Sequence, residues 1–156
     1  MILSAVKALE SATAPDFGQT WTNFSKDSFA LQDWGCTLDS VLGTIITQPS
    51  ETLTGSESLT WSQTLSSIAS GLTDGWIIWK TPSGRTFGVN IHVPLQIGPF
   101  GTAPYYQVQV DGGGWQGSYT SDVYTFDQSL GYKIQVRPTA GHSNIFLDIT
   151  ISNLPA

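Results

Sequence analysis

Residues 76–93 read Trp76-Ile77-Ile78-Trp79-Lys80-Thr81-Pro82-Ser83-Gly84-Arg85-Thr86-Phe87-Gly88-Val89-Asn90-Ile91-His92-Val93. The apolar run 76–79 leads into Thr81-Pro82-Ser83-Gly84, a strong turn sequence, because proline presets one backbone angle and glycine accepts a positive φ. Beyond it Phe87, Val89, Ile91 and Val93 recur at every second position, the mark of a strand with one buried face. The stretch is therefore read as a central β-hairpin, with His92 on the face opposite Phe87, Val89 and Ile91.

The same period of two continues outward in both directions. Phe29 and Leu31, then Leu59 and Trp61, alternate with polar neighbours on the N-terminal side. On the C-terminal side Tyr106, Val108 and Val110 form a strand ended by Asp111-Gly112-Gly113-Gly114, and Tyr132, Ile134 and Val136 form one ended by Pro138 and Gly141. The last runs through Ile145, Leu147, Ile149 and Ile151, with Phe146 on its other face. Seven or eight short strands at this spacing predict a mostly β protein, a β-sandwich. No internal repeat or long linker divides the chain, so residues 1–156 are expected to form a single domain, its sandwich over 19–153.

Residues 1–14 differ. Ile2, Val6 and Leu9 repeat at helical spacing beside Leu3 and Ala5, and Pro15 closes the segment, which predicts a short N-terminal amphipathic helix. Two roles are open to it: packing on the sandwich, or insertion into a membrane through Ile2, Leu3, Val6 and Leu9. About thirteen helical residues extend roughly 20 Å at 1.5 Å each, short of a hydrocarbon core of about 30 Å.

Composition narrows the function. Charged residues make up only 12% of the 156 positions, and twelve acidic against six basic side chains give a net charge of −6. That balance argues against a phosphate-tracking nucleic-acid binder and against simple electrostatic capture by anionic lipid. A single cysteine, Cys36, excludes an intrachain disulfide and a multi-cysteine metal site. No basic, apolar leader opens the chain, so no export signal is visible.

Catalytic ingredients are scarce. The chain holds two histidines, His92 and His142, and lacks HExxH, a glycine-rich phosphate loop, a GxSxG elbow or a spaced Cys/His cluster. Asp111-Gly112-Gly113-Gly114 lacks the further carboxylates that calcium binding needs. No enzyme, cofactor or metal site is expected. Asn23-Phe24-Ser25 matches a glycosylation sequon, which matters only in a secreted chain.

What remains is aromatic. The connection 93–106, Val-Pro-Leu-Gln-Ile-Gly-Pro-Phe-Gly-Thr-Ala-Pro-Tyr-Tyr, carries three prolines and no charge, an unusual composition for a segment in water. Trp115, Tyr119, Tyr124 and Phe126 follow in a second weakly charged connection. The two either pack as loops on the core or meet as an aromatic cluster suited to choline headgroups, sterols or sugar faces.

The order of these features resembles the actinoporin-like pore-forming proteins. The resemblance runs through Gln19-Thr20-Trp21-Thr22, His92-Val93-Pro94, the aromatic connection, Tyr105-Tyr106-Gln107-Val108, Leu130-Gly131-Tyr132-Lys133, Gly141-His142 and the closing strand 145–151, roughly two thirds of the chain. Each piece is weak alone, and their common order carries the likeness. It implies an actinoporin-like β-sandwich with an N-terminal amphipathic helix that binds phosphocholine or sphingomyelin headgroups. The implied binding residues are His92, Pro94, Phe100, Tyr105, Tyr106, Trp115, Tyr119 and Tyr124. The likeness further implies a secreted or released soluble cytolysin that acts on target membranes, with room for homo-oligomers there. The chain is similar also to the acidic aegerolysins and to fungal fruit-body lectins of the same fold, which bind glycans without forming pores.

Overall fold

The computed structural model describes residues 17–36, 43–47, 51–55, 57–65, 73–93, 103–140 and 145–155. Among them run twelve strands: β1 Phe17–Asn23, β2 Phe29–Cys36, β3 Gly43–Thr47, β4 Thr52–Leu53, β5 Glu57–Leu65, β6 Thr73–Lys80, β7 Thr86–Val93, β8 Tyr105–Val110, β9 Gln116–Tyr119, β10 Tyr124–Thr125, β11 Tyr132–Ala140 and β12 Ile145–Asn153. One turn of 3-10 helix, Gln128–Leu130, precedes β11. The predicted helix over 1–14, with Ile2, Leu3, Val6 and Leu9, lies outside the described residues.

The strands form two six-stranded sheets, ordered β10-β11-β12-β1-β5-β3 and β4-β2-β6-β7-β8-β9. Strand β1 runs parallel to β12 and antiparallel to β5. The expected hairpin is β6–β7, in register from Lys80↔Thr86 back to Thr73↔Val93. Its turn is closed by Thr81: the backbone N–H of Gly84 donates to the Thr81 carbonyl at 2.9 Å, and that of Arg85 to Thr81 Oγ1 at 3.0 Å.

The two sheets face each other across an aromatic core. Trp21 of β1 meets Trp79 and Phe87 of the other sheet, with ring centroids 6.1 and 5.9 Å apart. Phe29 joins Phe87 to Tyr132 at 5.7 and 4.9 Å. Each such ring, fully withdrawn from water, contributes roughly 1.5–3 kcal/mol. Strand β1 is the exception to a purely apolar interior, since Phe17, Gln19, Trp21 and Asn23 all point inward and are buried.

Both inward amides are satisfied. Gln19 Nε2 crosses between the sheets to the carbonyls of Val89 (3.0 Å) and Gly75 (3.3 Å), and its Oε1 accepts from Trp21 Nε1 at 3.0 Å. Asn23 Nδ2 donates to the carbonyls of Asp27 (2.7 Å) and Leu53 (3.1 Å), while its Oδ1 accepts from the backbone N–H and hydroxyl of Ser25. Asn23 is thus an internal brace in the folded chain, and the sequon is inaccessible to a glycosyl transferase there.

At one end of the sandwich a single arginine ties the connections together. Arg85 donates through Nε and Nη2 to the Asp111 carboxylate at 2.7–2.9 Å, and through Nη1 to the Ser129 carbonyl at 3.1 Å. Asp111 occupies a left-handed conformation, φ 53°, with Gly112 at 72°, and the N–H of Gly113 returns to the Val110 carbonyl at 3.1 Å. These two positive φ values suit the tight turns of twisted hairpins, and this one directs the chain to Trp115.

The Gln19 network sets a stability prediction. Gln19→Ala strands the Trp21 indole N–H and leaves a cavity between the sheets, so we expect a loss of about 2–4 kcal/mol in denaturant unfolding. Trp21→Phe should cost more than Trp79→Phe, because Trp79 Nε1 is buried without a hydrogen-bond partner among the described residues and its removal breaks no bond there. Equal losses would remove Gln19 from the account.

A second expectation concerns acid. The hydrogen bonds from Arg85 hold the Asp111 carboxyl below its ordinary range. A lowered folded value means that the pair stabilises above the ordinary carboxyl value of about 3.9 and that this contribution is lost as pH falls through the lowered one. The stability difference between the native chain and Arg85→Gln should therefore shrink as unfolding is measured from pH 5 down to pH 2.

Candidate functional site

The outer face of the β6–β7–β8 sheet carries a polar and aromatic site. Inward residues 87, 89, 91 and 93 of β7 leave Asn90 and His92 on the outer face, and pairing fixes their neighbours. One row across the sheet reads Asp74–His92–Tyr105; the next reads Gly35–Trp76–Asn90–Gln107. His92 Nδ1 lies 2.8 Å from Asp74 Oδ1. An ionised carboxylate only accepts, so Nδ1 carries the proton. The His92 ring packs against Tyr105 with centroids 4.9 Å apart.

Asn90 is the hub of the second row. Its Nδ2 donates to Asp74 Oδ1 at 3.0 Å and to Gln107 Oε1 at 3.1 Å. Trp76 Nε1 donates to Asp33 Oδ2 at 3.0 Å, and the benzo edge of its ring lies over Gly35, where a β-carbon would come within 2.5 Å of Cζ2. Glycine at 35 thus makes room for the ring, and Asp33 sets its rotation. Trp76, Trp115, Asp74, Asn90 and Gln107 line a cavity of about 440 Å³, within the roughly 300–1,000 Å³ of small-ligand sites.

A separate group forms at the edge where the sheets part. Tyr106 of β8, Tyr119 of β9 and Tyr124 of β10 make a continuous run with centroids 5.2 and 5.3 Å apart. Tyr124 continues edge-on to Phe126 at 5.1 Å, and Phe126 to Phe87 in the core at 5.9 Å. Tyr106 is the buried root of the run, its hydroxyl donating to the Asp122 carbonyl at 2.5 Å. Tyr119 and Tyr124 are half-buried, beside exposed Val123. Gly117 has φ 89°, and a side chain there would collide with the Tyr119 ring. Burial raises the Tyr106 and Tyr124 hydroxyls above their usual range, so both stay protonated donors at neutral pH.

The eight binding residues expected from sequence therefore fall into groups. His92, Tyr105 and Trp115 lie on the outer face; Tyr106, Tyr119 and Tyr124 come together at the sheet edge; Pro94 and Phe100 lie outside the described residues. Tyr105 and Tyr106, adjacent in sequence, face opposite sides of their sheet. Asp74, Trp76, Asn90 and Gln107 were not among the binding residues expected from sequence. The signal for them was present: the hairpin register places Asp74 opposite His92 and Trp76 opposite Asn90.

No family model and no curated protein sequence matches the chain. Among solved structures it is similar to the crystal structure of the lipid binding protein Nakanori, with a TM-score of 0.67 at 9% identity, over 97% of this chain and 78% of that one. The lectin XCL of Xerocomus chrysenteron is matched at a TM-score of 0.47 and 13% identity, over 87% of this chain and 99% of that one. The likeness to Nakanori is one of fold, and the two-sheet β architecture described above is shared with it.

Proposed function

We propose that this chain is a binding module, not a catalyst, and that it recognises membrane lipid through choline-bearing headgroups at the Tyr106–Tyr119–Tyr124 run. The observation that carries this is the contiguity of the three rings at a sheet edge, with the outer two half-exposed beside Val123. Tyrosine faces attract a quaternary ammonium through the ring quadrupole, and the Tyr124 hydroxyl, raised above its usual range by burial, can donate to the adjoining phosphate. Neither needs a positive surface, which suits a chain of net charge −6. The fold shared with a protein described as lipid binding supports the same reading.

The finer parts of the proposal follow the actinoporin-like resemblance. The protein acts as a soluble molecule on target membranes, sphingomyelin is its preferred lipid, and residues 1–14 convert binding into permeabilisation.

Sedimentation with liposomes tests the first part. Binding should favour sphingomyelin or phosphatidylcholine over phosphatidylethanolamine and phosphatidylglycerol. Tyr124→Ala should weaken it about two- to thirtyfold, the equivalent of roughly 0.5–2 kcal/mol for a cation–π contact, while thermal unfolding stays cooperative at a lowered midpoint, because the ring also packs on Tyr119 and Phe126. Equal binding to all four compositions would sink the headgroup reading. For the second part, deleting residues 1–14 should abolish dye release while preserving sedimentation, and dye release by the shortened chain would remove the segment from the pore.

A further inference from the structure

The outer-face cavity has chemistry that the tyrosine run lacks, and we infer that it is a second ligand site that takes the ring of a neutral sugar. The inference does not depend on the lipid proposal, since the two sites lie on opposite faces of β8 and share no residue.

Three observations support it. First, Asn90 Oδ1 is buried and has no hydrogen-bond partner among the described residues, although Asn90 is only 2% exposed and lines the cavity. Its amide group is held with Nδ2 toward Asp74 and Gln107, both of which accept from it, so the oxygen cannot exchange places with the nitrogen without breaking two bonds. A buried acceptor left unpaired keeps an uncompensated desolvation cost, and a ligand carrying hydroxyl or N–H donors relieves that cost. A quaternary ammonium has no such donor.

Second, the cavity presents two tryptophans among carboxylate and amide groups. Indole faces accept the C–H face of a pyranose, while Asp74, Asn90 and Gln107 offer the directional polar partners that hydroxyls require. The Trp76 ring is held in place by the Asp33 hydrogen bond and by the clearance over Gly35, which limits the entropy lost when a ligand stacks on it. Third, among the described residues the cavity lining contains no lysine or arginine and does contain the Asp74 carboxylate. An anionic ligand such as a phosphate or an acidic sugar would meet a like charge, so the sugar is neutral.

The test uses the full chain, with methyl glycosides of the neutral hexoses and N-acetylhexosamines as probes and choline chloride as comparator. Saturation-transfer NMR reports contact, and tryptophan emission reports the site, because Trp76 and Trp115 line it. We expect saturable transfer to at least one glycoside with a shift in emission. Trp115→Ala should weaken it at least tenfold, and Gly35→Ala, which removes no lining atom but displaces the Trp76 ring, should do the same. Thermal unfolding checks that each variant is folded, and Gln107→Ala replaces any that is not.

Gln107→Ala should bind glycolipid-free sphingomyelin liposomes as the native chain does, which separates this site from the lipid reading. The hit is then displayed as a glycolipid in phosphatidylethanolamine liposomes. Binding to the free glycoside assigns a soluble or protein-borne glycan, and binding only to the displayed form assigns a glycolipid, and the sugar is the ligand in both. Transfer to choline and to no glycoside, transfer to neither in either format, or native binding by both Trp115→Ala and Gly35→Ala would overturn the proposal.

Discussion

The fold depends on one buried amide. An apolar interface between two sheets is non-directional, and hydrophobic burial alone permits the sheets to slide or rotate with little penalty. Gln19 removes that freedom, because its Nε2 must reach two carbonyls of the facing sheet while its Oε1 receives the Trp21 indole. In the low-dielectric interior these bonds are strong when made and costly when missed. The two carbonyls belong to Gly75 and Val89, the backbone neighbours of Asp74, Trp76 and Asn90. The stitch on the inner face therefore holds in place the strands whose outer face carries the cavity.

From that point order spreads through rings in place of charges. Trp21 touches Trp79 and Phe87; Phe87 touches Phe29 and Phe126; Phe126 leads through Tyr124 and Tyr119 to Tyr106. The tyrosines at the sheet edge are thus the surface end of the core, and their positions follow from its packing. Elsewhere polar ties replace rings. Tyr132 donates to Asp27 at 2.6 Å, and burial together with that carboxylate pushes its hydroxyl up to about 12. Arg85 joins Asp111 and Ser129 nearby. Asp27, Arg85 and Asp111 each tie a connection in this way.

Much of the sandwich was legible because a period of two and a proline–glycine turn are local signals. The β6–β7 hairpin, the strands β8, β11 and β12, and the outward side of His92 all follow from them. Strand β1 was harder, since its inward row contains Gln19 and Asn23, and a pattern reading assigns polar residues to solvent. Only partners far along the chain, Gly75, Val89 and Leu53, reverse that. Strands β9 and β10 were read as one connection, being short and containing Gly117, whose positive φ interrupts any alternation. For the site, spacing placed aromatic residues near one another but did not divide them. Tyr105 and Tyr106 were grouped, although the period that identified their strand sends neighbours to opposite faces.

That division is what gives the chain two kinds of surface from one set of aromatic residues. On the inner side of β8, Tyr106 makes its hydrogen bond to a carbonyl and stacks its ring on Tyr119, so what the run offers outward is ring face. On the outer side Gln107 is drawn into the Asn90 network, and the amide that organises that network keeps one acceptor unpaired among the described residues. A surface of ring faces selects for cations and alkyl groups, whereas an unpaired acceptor between indoles selects for donors. A negatively charged chain cannot gather ligands by long-range attraction to anionic membranes. Whatever it binds it must hold by short-range fit, and the alternation of β8 puts the two proposed sites on opposite faces of one strand.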